Sequence, residues 1–382
     1  MKVAIVHYWL VGMRGGEKVV EEICKLYPDA DIFTLVADPS KLSPTINHHR
    51  IKTSFLQSWG GVKHYQKFLP LMPFALERFD LTDYDLVISS EAGPAKAIIT
   101  RPDALHICYC HSPMRYIWDC STEYLGGAGR LSRLIMYLSF PVLRVWDVTT
   151  AARVDHFIAN SQFVAKRIEK FYRRKAVVIN PPVNVERFGI SDVVEDYYLC
   201  AGQITPYKKI EIAVAACTRL NRNLLVLGSG ATPALRSMAG PTVTFQDNVD
   251  DLTMEKHFAR CKALLYPGVE DFGIVPLEVM ASGRPVIAMG RGGASETVVE
   301  GRTGIFFYQQ TVDALVDAIK SFEDVASSFV PDDIRRHALS YSNARFQHEL
   351  STFISTRISE EGASLMRLRP PVSETVPSAI AV

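Results

Sequence analysis

The chain has 382 residues, 48% hydrophobic and 22% charged, with a formal net charge of +1 at pH 7. That length supports two domains with a core each, and the near-neutral balance argues against nucleic acid as a partner. Seven cysteines without C-x-x-C spacing fit a reducing compartment better than a disulfide framework, and no apolar run reaches the roughly 18 residues of a membrane span.

MKVAIVHYWL has no small-residue cleavage site and leads into a glycine loop, so Val3–Val6 reads as a first strand buried on both faces. Gly12-Met13-Arg14-Gly15-Gly16-Glu17 follows, then a helical pattern from Lys18 to Cys24. Strand, glycine loop and helix together let the backbone approach a phosphate, although no G-x-G-x-x-G is present. Asp31–Val36 and Leu86–Ser90 read as further strands. Asp29-Ala30-Asp31 and Asp83-Tyr84-Asp85 match D-x-D in letters, but both precede a strand, so they read as turns and no catalytic metal is expected. Residues 45–80 are rich in basic and aromatic side chains, among them Trp59, Lys63, His64 and Lys67. They suit either ordinary surface helices or a face lying on anionic lipid.

His106–Cys110 reads as a strand stopped by Pro113, which leaves His111 at a carboxyl end of the sheet, where such folds place ligands, with Arg115 close behind. Cys108, Cys110 and His111 have no second cluster to complete a metal site. Residues 124–146 form a loop and a basic, apolar segment broken by Pro141, fit for core packing or for a membrane surface. Asp155–Ser161 reads as a strand ending in a helix cap, and Val177–Ile179 as the last strand of the first domain. After the stiff Asn180-Pro181-Pro182-Val183 link, Tyr198–Ala201, Leu224–Leu227 and Val243–Phe245 continue the alternation, with a helix from Ile210. The alternation in both halves gives two doubly wound α/β domains, 1–183 and 184–341. A helix over 342–360 crosses back to the first domain, and 361–382 is expected to be a mobile tail.

The stretch Glu270–Glu278, EDFGIVPLE, carries the strongest signal. It follows a strand at Ala263–Pro267 and opens a helix read as starting at Pro276, with Glu278 in its first turn and Gly283 past its end. The N–H groups of Phe272, Gly273, Ile274 and Val275 lead into a helix tip that favours an anion. A phosphate seat between Glu270 and Glu278 suits a ligand with hydroxyls at both ends and phosphate in the middle. With the bracketing SGRPV and GGASE, the stretch resembles the E-x7-E signature of retaining glycosyltransferases of family 4, which have the GT-B fold of two Rossmann-like domains facing a cleft.

The resemblance implies roles. The loop bearing Gly15 and Gly16 is similar to the family's G-G-x-E loop, which faces donor phosphates and acceptor. His111 would contact the transferred sugar, and Glu270 and Glu278 would bind its hydroxyls and the ribose. Lys208 would grip the diphosphate beside Gln203, where the family usually has arginine, and residues 246–252 would hold the base. His111, Glu270 and Lys208 are thus the expected catalytic residues, with no cofactor. The run VISS, HICYCHSPMRYIWD, DHFIANS, PPV and EDFGIVPLE is similar to bacterial mannosyltransferases of O-antigen or exopolysaccharide synthesis. It implies GDP-mannose as donor, a lipid-linked glycan as acceptor, and a cytoplasmic site that could include the inner membrane face. A UDP-sugar donor, a phosphorylase, and a non-catalytic nucleotide-binding scaffold are the alternatives; nothing marks the pyridoxal-phosphate lysine a phosphorylase needs.

Overall fold

The computed structural model describes residues 1–127 and 129–368. In the first half, β1 (Val3–His7), β2 (Asp31–Thr34), β3 (Ile51–Thr53), β4 (Leu86–Glu91), β5 (Leu105–Cys110), β6 (His156–Ala159) and β7 (Ala176–Val178) form one sheet. Its order is β3-β2-β1-β4-β5-β6-β7, and every pairing is parallel. In the second half, β8 (Tyr198–Ala201), β9 (Leu224–Leu227), β10 (Val243–Gln246), β11 (Leu264–Tyr266), β12 (Val286–Met289) and β13 (Gly304–Phe307) form another parallel sheet. Its order is β10-β9-β8-β11-β12-β13.

The continuous apolar strands follow from burial on both faces: β1, β4, β5, β8, β9 and β12 are buried at every position. Each sheet reverses its winding once, between β1 and β4 and between β8 and β11. Ligands of such sheets sit outside the carboxyl ends of the strands at that reversal. Those ends carry His7, Glu91 and His111 in the first sheet, and Gly202 and the loop from Gly268 in the second.

The chain leaves the first unit beside the point where it returns: Val183 bridges Ser342, and Val183 N–H donates to Tyr341 O at 3.0 Å. The helix Asn343–Leu368 then buries Phe346, Leu350, Phe353 and Ile354 in the first unit's core. Asn343 and Gln347 donate to the Glu22 carboxylate at 3.1 and 2.6 Å. This helix runs on to Leu368, past residue 360 where the sequence places its end, and 369–382 lie outside the described residues.

Several boundaries differ from expectation for physical reasons. The first helix spans Gly15–Leu26 and includes both glycines, since Glu17 returns its carboxylate to the Arg14 N–H at 3.1 Å and closes the start. The helix after EDFG spans Ile274–Ala281, so Glu278 lies in its second turn. Gly273, at φ 85°, makes the entry turn, and Pro276 costs nothing at the third position, where the N–H has no partner within the helix. Pro141 does not break its segment: Arg130–Ala151 is one helix of 22 residues. The carbonyl that Pro141 leaves without a donor belongs to exposed Tyr137, within reach of water. Asp31 opens β2 and does not lie in a turn; it pairs with Lys52 at 2.8 Å, while Asp83 and Asp85 hold Lys2 and Arg101.

Candidate functional site

In the second domain, Glu270 and Lys208 face each other with Nζ 3.5 Å from Oε1, both side chains at most one fifth exposed. Lys208 ends a single 3-10 turn, Pro206–Lys208, that follows β8, and Glu270 stands on the loop after β11. Apart from that ion pair Glu270 Oε1 makes no close hydrogen bond with the described residues, and the buried Tyr266 hydroxyl lies beside it. Carboxylate, ammonium and hydroxyl thus form a polar seat at the carboxyl ends of β8 and β11. Burial, and then the Glu270 charge, hold the Tyr266 hydroxyl far above its ordinary range, so it remains a donor.

Past Glu270 the chain turns at Gly273 and presents the N–H groups of the Ile274–Ala281 helix. The Gly292-Gly293 turn explains the bracket in the sequence. A Cβ on Gly293 would lie 2.2 Å from Phe272 O, and Gly293 N–H donates to Glu270 O at 2.9 Å. The second glycine turn therefore fixes the loop that carries Glu270. Glu278 is buried and meets Lys18 of the opposite domain, Nζ 3.6 Å from Oε1. Gln203 is exposed at the rim, next to Gly202, whose Cβ would lie 2.8 Å from Lys208 Nζ.

The first domain faces this wall with its glycine loop. A Cβ on Gly15 would sit 3.1 Å from Ile274 Cδ1 across the cleft. One on Gly16 would sit 3.4 Å from both His7 Cε1 and Tyr8 Oη and 3.7 Å from His111 Nε2. His111 stands directly after β5, and its Nε2 is 2.9 Å from Ser90 Oγ. Burial lowers its pKa to about 4, so the ring is neutral. His7 was not anticipated from the sequence. Its Nδ1 lies 2.9 Å from the Ser90 carbonyl, an acceptor only, so Nδ1 carries the proton and Nε2 presents a bare lone pair. That Nε2 is buried without a partner, and burial, helped by nearby His111, lowers the pKa to about 3. The signal was present in the sequence: His7, like His111, ends an apolar run at a strand's carboxyl end.

Other side chains join the domains around the cleft. Asp271, inside EDFG, accepts from Arg115 at 3.4 Å and from Arg167 at 3.3 Å, while its carbonyl accepts from Ser161 Oγ at 2.6 Å. Arg115 therefore clasps the Glu270 loop across the cleft. Glu296 of the GGASE turn takes the N–H groups of Gln162 and Phe163, at 2.7 and 2.8 Å, at the tip of the Gln162–Tyr172 helix. Ser161 caps that helix, as its sequence suggests. Under His111, Glu91 at the end of β4 is fully buried with Lys96 (3.5 Å), which also pairs with Asp147. Burial outweighs that cation and lifts the Glu91 carboxyl to about 7. Cys108 and Cys110 face the apolar cluster around Phe157, packing side chains and not ligands.

Comparison with known proteins agrees with this geometry. Residues 13–187 match the family model described as Glycosyltransferase Family 4, and residues 195–323 the model described as Glycosyl transferases group 1. The α-1,3/1,6-mannosyltransferase ALG2 of Kluyveromyces lactis is 25% identical over 78% of this chain and 71% of its own length. A GDP-mannose-dependent α-(1-6)-phosphatidylinositol monomannoside mannosyltransferase of Mycolicibacterium smegmatis is 30% identical over 35% of this chain and 40% of its own. Other curated relatives are matched over about half of their length. Anabaena HepE in complex with UDP superposes with a TM-score of 0.69 at 15% identity, over 93% of this chain and all of that one. Two family matches that between them take in both domains, on a pair of parallel Rossmann-like sheets with their switch points face to face, make this chain a family 4 glycosyltransferase of GT-B fold.

Proposed function

We propose that the protein is a retaining, metal-independent hexosyltransferase that moves mannose from GDP-mannose to a lipid-linked glycan in bacterial surface polysaccharide synthesis. It would work on the cytoplasmic side, in peripheral contact with an anionic membrane. The observation that carries the reading is the pairing of Glu270 with Lys208 beside a bare helix tip, opposite His111 and the glycine loop. Mannose as the sugar is supported by the mannosyltransferase activities of the yeast and mycobacterial relatives.

In this reading the diphosphate lies against Lys208 and the N–H groups of Gly273, Ile274 and Val275, with the Gln203 amide at the rim. Glu278 holds the ribose once Lys18 yields it, and Glu270 holds hydroxyls of the transferred sugar. As the glycosidic bond breaks, charge grows on the leaving phosphate oxygen. Fixed donors aimed at that charge contribute most to the rate. The acceptor hydroxyl approaches from the leaving-group face and passes its proton to the departing phosphate, so no second carboxylate is needed as a base. Neutral His111 steadies the sugar from the other domain. The Asp271 and Glu296 clasps hold the closed cleft, which keeps out the water that would hydrolyse the donor.

A UDP-sugar donor is the second reading, and the UDP-bound structural neighbour favours it. Nucleotide release from a panel of GDP- and UDP-sugars separates the two, together with a thermal-shift comparison of GDP and UDP. Glu270→Ala should abolish release, and NMR of the product should show the donor's anomeric configuration retained. Release at full rate by Glu270→Ala would remove the proposed site.

A further inference from the structure

A buried histidine that serves only packing is satisfied at both ring nitrogens, and β5 supplies the comparison. His106 has Nδ1 3.1 Å from the Arg153 carbonyl and Nε2 2.9 Å from Ser89 Oγ. His7, equally buried at the end of β1, is satisfied at Nδ1 alone. A buried acceptor left unpaired costs stability, so an orphan of this kind calls for a partner that the chain itself does not supply. The orphan nitrogen borders the space that Gly16 leaves free. A Cβ there would stand 3.4 Å from His7 Cε1, the carbon bonded to Nε2. Ser90 fixes the ring: its carbonyl takes the Nδ1 proton, and its hydroxyl lies 2.9 Å from His111 Nε2. The two histidines thus flank the end of β4, His111 on the β5 side and His7 on the β1 side.

The chemistry of the occupant follows from the lone pair. It takes an O–H or N–H, whereas phosphate and carboxylate bring no proton to it. A metal ion needs further ligands, and among the described residues no group of three His, Cys, Asp or Glu is placed to hold one. Tyr8 Oη also lies 3.4 Å from the Gly16 Cβ position, and burial, then the Glu17 charge, keep that phenol protonated and able to donate. A bare acceptor and a donor facing one space suit a hydroxyl, which gives to the first and takes from the second.

A row of rings shows which hydroxyl. The ring centroids of His7 and Tyr8 are 4.2 Å apart, those of Tyr8 and Trp9 4.3 Å, and those of Trp9 and Tyr65 4.6 Å. Tyr8, Trp9 and Tyr65 are all half-buried, so each keeps an open side. Tyr8 O accepts from Leu35 N–H and Leu10 bridges Ala37, so the row runs on the β2 side of β1, opposite the side that carries His111. Apolar ring faces with polar tips suit the C–H faces and hydroxyls of successive sugars. The transferred sugar is taken by Glu270 and His111, which leaves this row to the acceptor.

We propose that His7 is a substrate-binding residue whose Nε2 accepts a hydrogen bond from a non-reacting hydroxyl of the acceptor glycan, with the next sugar lying along Tyr8 and Trp9 toward Tyr65. The proposal rests on the transferase reading above and deepens it. The reacting hydroxyl stays free to pass its proton to the departing phosphate, so His7 orients the acceptor and is not its base.

Two substitutions separate this role from a purely structural one. His7→Asn sets an amide N–H where Nδ1 was, still able to donate to Ser90, and leaves no acceptor at the ε position. His7→Gln sets a carbonyl at the ε position and gives up Ser90. The acceptor is a glycan extract of cells deleted for this gene, which holds the unfinished glycan. The ratio of transfer to donor hydrolysis should fall about tenfold or more in His7→Asn and recover at least in part in His7→Gln. Thermal melting checks that both variants fold. The wild-type chain gives a second measurement that needs no substitution. In 15N-histidine-labelled protein the His7 Nε2 resonance should be that of an unprotonated nitrogen, and it should move when a methyl hexopyranoside from a panel is added. Full transfer by His7→Asn, transfer by His7→Gln no better than by His7→Asn, or a His7 resonance that no glycoside moves would overturn the proposal. A resonance that moves in a protein releasing no nucleotide from any nucleotide-sugar would instead overturn the transferase reading and leave His7 in a saccharide seat.

Discussion

Lys208→Met tests the catalytic argument most directly, because methionine keeps an unbranched side chain of similar shape and removes the charge. In the structure Nζ is 3.5 Å from Glu270 Oε1 and the lysine side chain is 12% exposed. At an effective dielectric near 20, unit charges at that distance attract by about 5 kcal/mol, an upper bound before desolvation. In the free protein Glu270 receives that attraction; in the transition state the leaving phosphate oxygen competes for it. The catalytic share is the difference, on the order of 3 kcal/mol, or about a hundredfold in rate. The assay is nucleotide release from GDP-mannose, with kcat and KM measured separately. Charge that grows only in the transition state requires kcat to fall while KM changes little. If KM alone rises, Lys208 merely binds the ground-state diphosphate; if neither moves, the donor lies elsewhere.

Gly16→Ala should keep the fold, since alanine suits a helix better than glycine, by up to about 1 kcal/mol. Its methyl would occupy the space beside His7, Tyr8 and His111 at van der Waals distance; transfer of labelled sugar to a glycan acceptor should fall while donor hydrolysis persists, and full transfer would place the acceptor elsewhere. Glu91, lifted to about 7 from 4.5, contributes stability that is fully present below pH 4.5 and lost as pH rises through 7. Relative to Glu91→Gln, the wild-type unfolding free energy should therefore drop by up to about 3 kcal/mol between pH 5 and 8; parallel denaturant profiles would refute this. His7 and His111, lowered to about 3 and 4, are neutral throughout that range, so their titration should add no acid limb to the rate above pH 5. Asp271→Asn should lower the melting temperature, because it leaves the largely buried Arg115 and Arg167 guanidiniums without this carboxylate. It should expand the protein in small-angle scattering and raise the donor KM several-fold; an unchanged radius would remove Asp271 from the closure.

The fold was legible because strands buried on both faces print as unbroken apolar runs: Val3–Val6, Leu224–Leu227 and Val286–Met289 all lie in the strands observed. Boundaries were less legible where backbone conformation, not side-chain pattern, decides. Pro276 looked like a helix start because proline is preferred there, but Gly273 had already turned the chain. Glu270, Lys208, His111 and the glycine loop could be named in advance since each sits where a strand gives way to a loop. Asp271, Glu296 and Arg167 could not. Their partners are more than a hundred residues distant, and an acid inside a loop carries no period that reveals a contact across a cleft. His7 was hidden differently: it stands just past the run read as a strand, and its place at a strand end does not by itself show that a ring nitrogen lacks a partner.

The Arg130–Ala151 helix and the Glu270 loop are joined by a short series of contacts. Phe140 and Leu143 pack against Met114 and Ile117, and Arg144 Nε donates to Ile117 O at 2.6 Å. Between Met114 and Ile117, Arg115 reaches Asp271 next to Glu270. His111, at the head of the same segment, is fixed to β4 by its N–H bond to Glu91 O at 2.6 Å. No bistable element needs to be invoked: packed side chains simply transmit position.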